Sequence, residues 1–226
     1  MNTEEKLFEK FGFNEYRDGI VNEVEWKNTY PKILFVLKET NGYDDDLRSF
    51  LKAGGRVQTW GNIARWSYLI KNMIAENIEP TFDDFKKRGN YCARKKHLST
   101  ACVINLKKTE GESTTNPNEF WEYFKGSKAV DILKEQMKLY SQIDIVVCCG
   151  GIVFEIFKNK VLEEKELKTI KDFNLKNGNS YRELKLYKSL KGYYVIDFIH
   201  PQQRTFTNEN IWKSLVDIVK KINENK

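Results

Sequence analysis

Four stretches of the chain are almost entirely apolar, and each is short enough to be a single buried strand. A strand of a parallel sheet is covered on both faces, so it reads as a continuous hydrophobic run rather than an alternation. Helical patterns lie between these runs. We therefore predict an α/β fold, a three-layer α/β/α sandwich with a central, mainly parallel four-stranded sheet. The predicted strands are residues 32–37, 101–106, 143–149 and 193–199.

Length and composition are those of an ordinary globular protein. The 226 residues suffice for a hydrophobic core, and we treat residues 1–226 as one domain. Hydrophobic residues make up 40% and charged residues 31% of the chain. The longest uncharged apolar run, residues 145–154, is too short to cross a bilayer, and the acidic N-terminus is not a targeting peptide. We therefore expect a cytoplasmic monomer with no membrane partner.

Polar segments follow or end three of the predicted strands. Lys38 and Glu39 come directly after the first strand, Asn105 stands near the end of the second, and His200 follows the last. The carboxyl ends of parallel strands share the edge of the sheet where ligands bind, so we expect these segments to converge. Each segment alone could be an ordinary surface loop, and their combination is what indicates a site.

Taken in order, these segments resemble the motifs of the uracil-DNA glycosylase superfamily. Residues 38–42 (KETNG) look like the Gly-Glu-Ala-Pro-Gly motif of one branch, and residues 104–107 (INLK) resemble the Thr-Asn-Val-Val-Lys strand end. Residues 147–151 are similar to the strand and glycine turn before the third helix, and residues 200–204 (HPQQR) look like the His-Pro-Ser motif. The resemblance covers roughly residues 32–204.

The sequence also departs from that pattern. Lys38 stands where the family usually has glycine, and Asn41 where it often has proline. Both departures change how the backbone would meet the deoxyribose and its phosphate. The final loop has glutamines and an arginine where relatives often have an apolar wedge, so either double-stranded or single-stranded DNA is compatible with it.

The resemblance and the chemistry together assign roles to three residues. Removal of a base passes through an oxocarbenium-like sugar. Glu39 is the predicted carboxylate that stabilises this cation and orients water, and His200 is the predicted donor to the leaving base. Asn105 would pair with the hydrogen-bonding edge of a pyrimidine. The structural alternatives are a histidine that caps the strand end and a buried asparagine that satisfies backbone groups.

The remaining predictions concern the flipped base and the DNA backbone. A flipped base is held by stacking, and Trp60 resembles the stacking position, although a core tryptophan is an open alternative. Asn41 and Tyr43 complete the predicted base-binding set, and Phe50 is a further aromatic candidate. The predicted DNA-binding residues are Lys38, Lys107, Lys108, Gln202, Gln203 and Arg204.

We predict no metal and no cofactor. The branch with the most similar first motif holds an iron-sulfur cluster with four spaced cysteines. Here Cys148 and Cys149 are adjacent, no Cys-x-x-Cys occurs, and the spacing of Cys92, His97 and Cys102 matches no common zinc pattern. We expect the cysteines in apolar strands to be core residues.

The predicted function is a monofunctional DNA glycosylase that releases uracil or a modified pyrimidine and leaves an abasic site, as in base-excision DNA repair. One alternative is a glycosylase against hydroxymethylated or glucosylated phage bases in antiviral defence, with room made by residues 43–56 and 107–117. A second is a non-catalytic DNA-binding module of the same fold. A different α/β enzyme is disfavoured, because the sequence has no Walker loop, Gly-x-Gly-x-x-Gly or Gly-x-Ser-x-Gly.

Overall fold

The computed structural model of the chain describes residues 3–41, 46–88, 91–111, 116–126, 128–140, 142–162 and 166–226. Strands within these ranges form a seven-stranded sheet and a separate two-stranded ladder. The strands are β1 (Gly19–Ile20), β2 (Ile33–Leu37), β3 (Thr40–Asn41), β4 (Cys102–Asn105), β5 (Glu110–Gly111), β6 (Ile145–Cys149), β7 (Leu167–Asn177), β8 (Ser180–Ser189) and β9 (Tyr194–Phe198).

The four predicted strands are β2, β4, β6 and β9. They lie side by side in the order β4-β2-β6-β9, and each neighbouring pair is parallel. Every residue in them is buried, which accounts for the continuous apolar runs in the sequence. The predicted α/β class and the adjacency of these strands in one sheet are therefore confirmed.

The prediction of a four-stranded, mainly parallel sheet is wrong, because the described part of the sheet has seven strands and is mixed. β1 pairs antiparallel with β4 at one edge, and the β7–β8 hairpin adds antiparallel strands beside β9 at the other. Only Phe173 and Leu175 of β7 are buried, so this lysine-rich strand shows no continuous apolar run. β8 lies between β9 and β7, so the last of these is the edge strand on that side of the described sheet.

Helices lie between the central strands, as the helical patterns in the sequence predicted. The sequence carries no signal for the helix at Tyr91–Ser99, because Leu98 is its only buried residue and no apolar face results. No described helix is long and apolar enough to cross a membrane. The helices are α1 (Thr3–Phe11), α2 (Glu23–Lys27), α3 (Leu47–Lys52), α4 (Val57–Ala75), α5 (Phe82–Arg88), α6 (Tyr91–Ser99), α7 (Pro117–Tyr123), α8 (Lys128–Leu139), α9 (Gly151–Ile156), continued by a π-helical turn (Phe157–Val161), and α10 (Asn208–Glu224).

Helices cover both faces of the central strands. Alternate residues of a strand point to opposite faces, and β2 shows this directly. Phe35 belongs to a hydrophobic cluster with residues of α3, α4 and α10, whereas Val36 belongs to a cluster with residues of α7, α8 and α9. The central sheet therefore lies between two helical layers.

The carboxyl ends of the four parallel strands meet at one edge of the sheet. Glu39 follows β2, Asn105 ends β4, Gly150 follows β6 and His200 follows β9. The short β3–β5 ladder is also parallel and extends the first two of these strand ends. This is the edge at which open α/β sheets bind ligands.

Candidate functional site

A cavity of about 700 Å³ lies at the carboxyl edge of the sheet. Its volume falls within the range of roughly 300–1,000 Å³ that is usual for ligand pockets. Glu39, Asn105 and His200 all line it, together with Gly150 and Trp60. The three side chains predicted to carry the chemistry are thus brought to one cavity, although they are far apart in the sequence. Their chemical roles remain predictions.

Glu39 is held at the cavity wall between two lysines. Its side chain is 5% exposed, with Oε1 3.5 Å from Lys38 Nζ and Oε2 3.3 Å from Lys107 Nζ. A Cβ at Gly111 would stand 2.1 Å from Glu39 Cδ, so only glycine leaves room for the carboxylate. Gly111 pairs with Asn41 in the β3–β5 ladder, and this backbone pairing fixes the place of the carboxylate. A negative charge fixed in this way is preorganised to meet a developing positive charge.

Asn105 lines the cavity from the end of β4. The residue is 5% exposed, and its backbone N–H donates to Asp18 Oδ2 at 2.7 Å. Within the described ranges, its side-chain amide makes no hydrogen bond, and the residue borders the cavity. Donor and acceptor are therefore both available to a ligand, which favours the base-reading interpretation over a buried amide that only satisfies backbone groups.

His200 borders the cavity in a defined tautomer. Its Nδ1 accepts a hydrogen bond from the backbone N–H of Gln202 at 3.2 Å, so a neutral ring carries its hydrogen on Nε2. Much of the residue is exposed. Partial desolvation lowers its pKa most, and the positive charge of Lys38 lowers it further. His200 is therefore a neutral donor at pH 7, available through Nε2.

The aromatic candidates have different environments. Trp60 is 8% exposed and belongs to the core, yet it also lines the cavity together with Phe50. Its ring packs on Gly55, which has a φ of 59° and where a Cβ would stand 2.5 Å from Trp60 Cδ1. Tyr43 lies outside the described residues, and Asn41 is described only as a backbone member of β3.

The loop after His200 is braced by its own glutamines. Gln202 Nε2 donates to Thr59 Oγ1 at the start of α4. Gln203 accepts from the backbone N–H of Phe206 at 2.8 Å and donates to its carbonyl at 3.0 Å. Both glutamines, predicted to bind DNA, therefore hold the loop in place in this structure. Arg204 is exposed and makes no ion pair within the described part of the chain.

Cations around the cavity fall into two groups. Lys38 and Lys107, predicted to contact phosphates, both pair with Glu39. Arg56 lines the cavity at the N-cap position of α4, is exposed, and makes no ion pair with any residue that the structure describes. Arg56 was not among the predicted residues. Together with Arg204 it is a cation that remains available to a phosphate.

The prediction that Lys108 contacts DNA is wrong. Lys108 is 0% exposed, and its Nζ lies 2.6 Å from Asp18 Oδ2. Asp18 itself is 1% exposed, and its other oxygen accepts from Gln136 Nε2 at 2.8 Å. Burial lowers the pKa of Lys108, and the adjacent carboxylate partly offsets this. Two neighbouring lysines thus pair with different carboxylates: Lys107 with Glu39 at the cavity, and Lys108 with Asp18 in the core.

Lys108→Met is expected to lower the free energy of unfolding by about 3–5 kcal/mol, because it leaves the Asp18 carboxylate buried without its counter-charge. Urea unfolding at pH 7 measures the change. Lys125→Met is the matched control, since Lys125 pairs with Glu122 on the surface, where both side chains are more than half exposed, and its loss should change little. Equal effects of the two variants would contradict a buried ion pair.

Sequence reasoning missed several residues of this cavity. Gln58 and Thr59 line it from the first turn of α4, beside Arg56. Of these two residues only Thr59 carries a local signal, because threonine is a favoured N-cap residue and would predict a helix that begins after it. The structure begins α4 at Val57 instead, so the first helical turn rather than a loop reaches the cavity. Asp18, which does not itself line the cavity, had no signal, because its partners come from two distant segments, residues 105–108 and α8.

Comparison with known proteins identifies no relative. No protein-family model matches the chain, and neither a curated protein nor a solved structure does.

Proposed function

We propose that this chain is a monofunctional DNA glycosylase, which hydrolyses the N-glycosidic bond of uracil or a modified pyrimidine flipped out of DNA and leaves an abasic site. The observation that carries the proposal is that Glu39, Asn105 and His200 line one cavity at the ends of parallel strands. Their order along the chain agrees with the resemblance to the uracil-DNA glycosylase superfamily. The proposed reaction needs no metal and no cofactor.

The proposed chemistry begins at the sugar. The bond between C1′ and the base nitrogen breaks, its electron pair leaves with the base, and positive charge grows on the sugar. The Glu39 carboxylate stabilises this charge and accepts the proton of the water whose oxygen adds to C1′. Lys38 and Lys107 keep the carboxylate in place during these steps.

His200 and Asn105 act on the leaving base in this proposal. His200 Nε2–H donates to the base oxygen on which negative charge develops, and the neutral imidazole is the form in which Nδ1 accepts from Gln202. Asn105 offers a donor and an acceptor to the hydrogen-bonding edge of the pyrimidine. Trp60 or Phe50 would supply the stacking surface from the helical side of the cavity.

A panel of oligonucleotides tests the proposal. Duplexes and single strands that carry uracil, thymine, hydroxymethylated or glucosylated pyrimidines are incubated with the protein. Mass spectrometry identifies any released base, and alkaline cleavage detects the abasic site. Base release without strand cleavage before alkali is the expected result. Binding without release from any substrate would favour the non-catalytic DNA-binding module instead.

A second candidate substrate is an enlarged pyrimidine, as in phage DNA with glucosylated bases, which would place the protein in antiviral defence. The observation that favours it is the cavity volume of about 700 Å³, which suits a drug-sized ligand, whereas uracil has only about eight non-hydrogen atoms. Arg56, Gln58 and Thr59 add polar groups to the lining. Release of a substituted base in preference to uracil from the same panel would select this candidate.

DNA binding is expected to weaken steeply with salt, because phosphate contacts release counterions. Arg204→Gln removes an exposed cation from the loop after His200. It should reduce the slope of the logarithm of the DNA-binding constant against the logarithm of the salt concentration by about one. Fluorescence anisotropy with an abasic-site duplex measures the slope. Lys134→Gln is the control, since Lys134 is exposed on α8 and does not line the cavity. A flat salt response of the unmodified protein would contradict phosphate-dominated binding.

A further inference from the structure

Asp18 is a buried carboxylate that joins the cavity to the core. It is 1% exposed and accepts three hydrogen bonds at 2.6–2.8 Å. Oδ2 accepts from the backbone N–H of Asn105 and from Lys108 Nζ, and Oδ1 accepts from Gln136 Nε2. Hydrogen bonds to a charged group are the stronger and shorter ones, so this carboxylate holds its partners firmly.

The N–H of Asn105 has this carboxylate in place of a strand partner. β1 pairs with β4 only through Gly19 and Ile20, opposite Val103 and Cys102. The ladder on that side of β4 therefore ends before Asn105, and its N–H would be buried without an acceptor. Leaving such a group unpaired is costly. The side chain of Asp18 completes the ladder by one residue.

The same oxygen also fixes the segment that follows. Lys108 ends a four-residue stretch that begins at Asn105, and both ends of the stretch bind Asp18 Oδ2. Between them, the backbone N–H of Lys107 donates to the carbonyl of Lys38 at 2.9 Å, and its Nζ lies 3.3 Å from Glu39 Oε2. The Asp18 carboxylate thus fixes the position of the strand end at Asn105. It also fixes the turn that carries Lys107, the residue that pairs with Glu39.

We infer that Asp18 is a positioning residue of the cavity, which aims the Asn105 amide and holds Lys107 beside Glu39 without touching the substrate itself. The expected effect of Asp18 on which base is released rests on the proposed glycosylase function. Gln136 binds the other oxygen of the same carboxylate from α8, and among the described residues its hydrogen bonds go to Asp18 and Tyr140 rather than to Asn105 or Lys107. A variant of Gln136 therefore distinguishes the positioning role of Asp18 from the contribution of the Asp18 carboxylate to the stability of the fold.

Asp18→Asn keeps the shape of the side chain, but it replaces one acceptor with a donor that opposes its partners. We expect it to lower the rate ratio between the released pyrimidine and its N3-methylated analogue roughly tenfold, since good base contacts supply discrimination of this order. Gln136→Leu should lower the midpoint of thermal unfolding and leave that ratio unchanged. In an Asn105→Ala background, Asp18→Asn should no longer affect the ratio, as residues that act as one unit are not additive.

Amide hydrogen exchange in the free protein gives a second measurement that needs no activity. Exchange at Asn105 and Lys107 should accelerate at least tenfold in Asp18→Asn, relative to global unfolding, and not in Gln136→Leu. If the single variant does not fold, Asp18→Asn with Lys108→Gln removes both charges together and is measured in the same way. Unchanged exchange, or a selectivity loss shared by Gln136→Leu, overturns the inference. Absence of base release from every oligonucleotide refutes the glycosylase proposal alone, because the exchange test still stands.

Discussion

Glu39→Gln should lower the single-turnover rate of base release about a hundredfold or more, which corresponds to a loss of about 2.7 kcal/mol of transition-state stabilisation. The change keeps the size of the side chain, which matters because Gly111 leaves no free space beside it. It removes the negative charge that Lys38 and Lys107 hold at the cavity wall. Quenched single-turnover reactions on the best substrate of the panel measure the rate.

Binding to an abasic-site duplex should survive Glu39→Gln, since phosphate contacts dominate affinity. Glu110→Gln is the matched control. Glu110 is an exposed carboxylate in β5, next to Gly111, and it does not line the cavity. Its rate should equal that of the unmodified protein. A Glu39→Gln protein that is folded and releases base at the unmodified rate would rule out the carboxylate role.

His200→Ala should lower base release by a similar factor, because it removes the proposed donor to the developing negative charge of the base. The lowered pKa of His200 keeps its ring neutral at pH 7 and above. The rate should therefore be independent of this group from about pH 7 upward and change only below its ordinary pKa of about 6.5. Rates measured between pH 5 and pH 9 provide the test.

The chain has two histidines, and the other is the control for the pH profile. His97 packs on Tyr68 and Phe85, and it does not line the cavity. His97→Gln should keep the acid limb of the profile, whereas His200→Ala should abolish it. An acid limb centred above pH 6.5 that disappears in His200→Ala would contradict a neutral ring at pH 7.

The parts of the fold that were predictable are those whose signal is local. β2 and β6 are buried on both faces, so each appears in the sequence as an unbroken apolar run. β7 is mostly exposed and rich in lysine, so its strand character depends on pairing with β8 rather than on its own pattern. For this reason the mixed character of the sheet could not be predicted from single segments.

The candidate site shows the same division. Convergence of Glu39, Asn105 and His200 was predictable, because parallel strands bring their carboxyl ends to one edge. The partners of these residues were not. Lys107 lies at the cavity and Lys108 in the core. This difference depends on the carboxylates of Glu39 and Asp18, which other segments of the chain bring near them.

The sequence by itself determined the α/β class, the four central strands and the edge of the sheet where polar residues gather, since hydrophobic runs and strand direction are properties of consecutive residues. Only the tertiary structure decided which charged and polar groups pair with one another at that edge. It buried Lys108 against Asp18, placed two lysines on Glu39 and turned Nδ1 of His200 toward a backbone N–H. The physical reason is that burial and Coulomb interactions depend on distances between groups in the folded chain, which the order of residues does not specify.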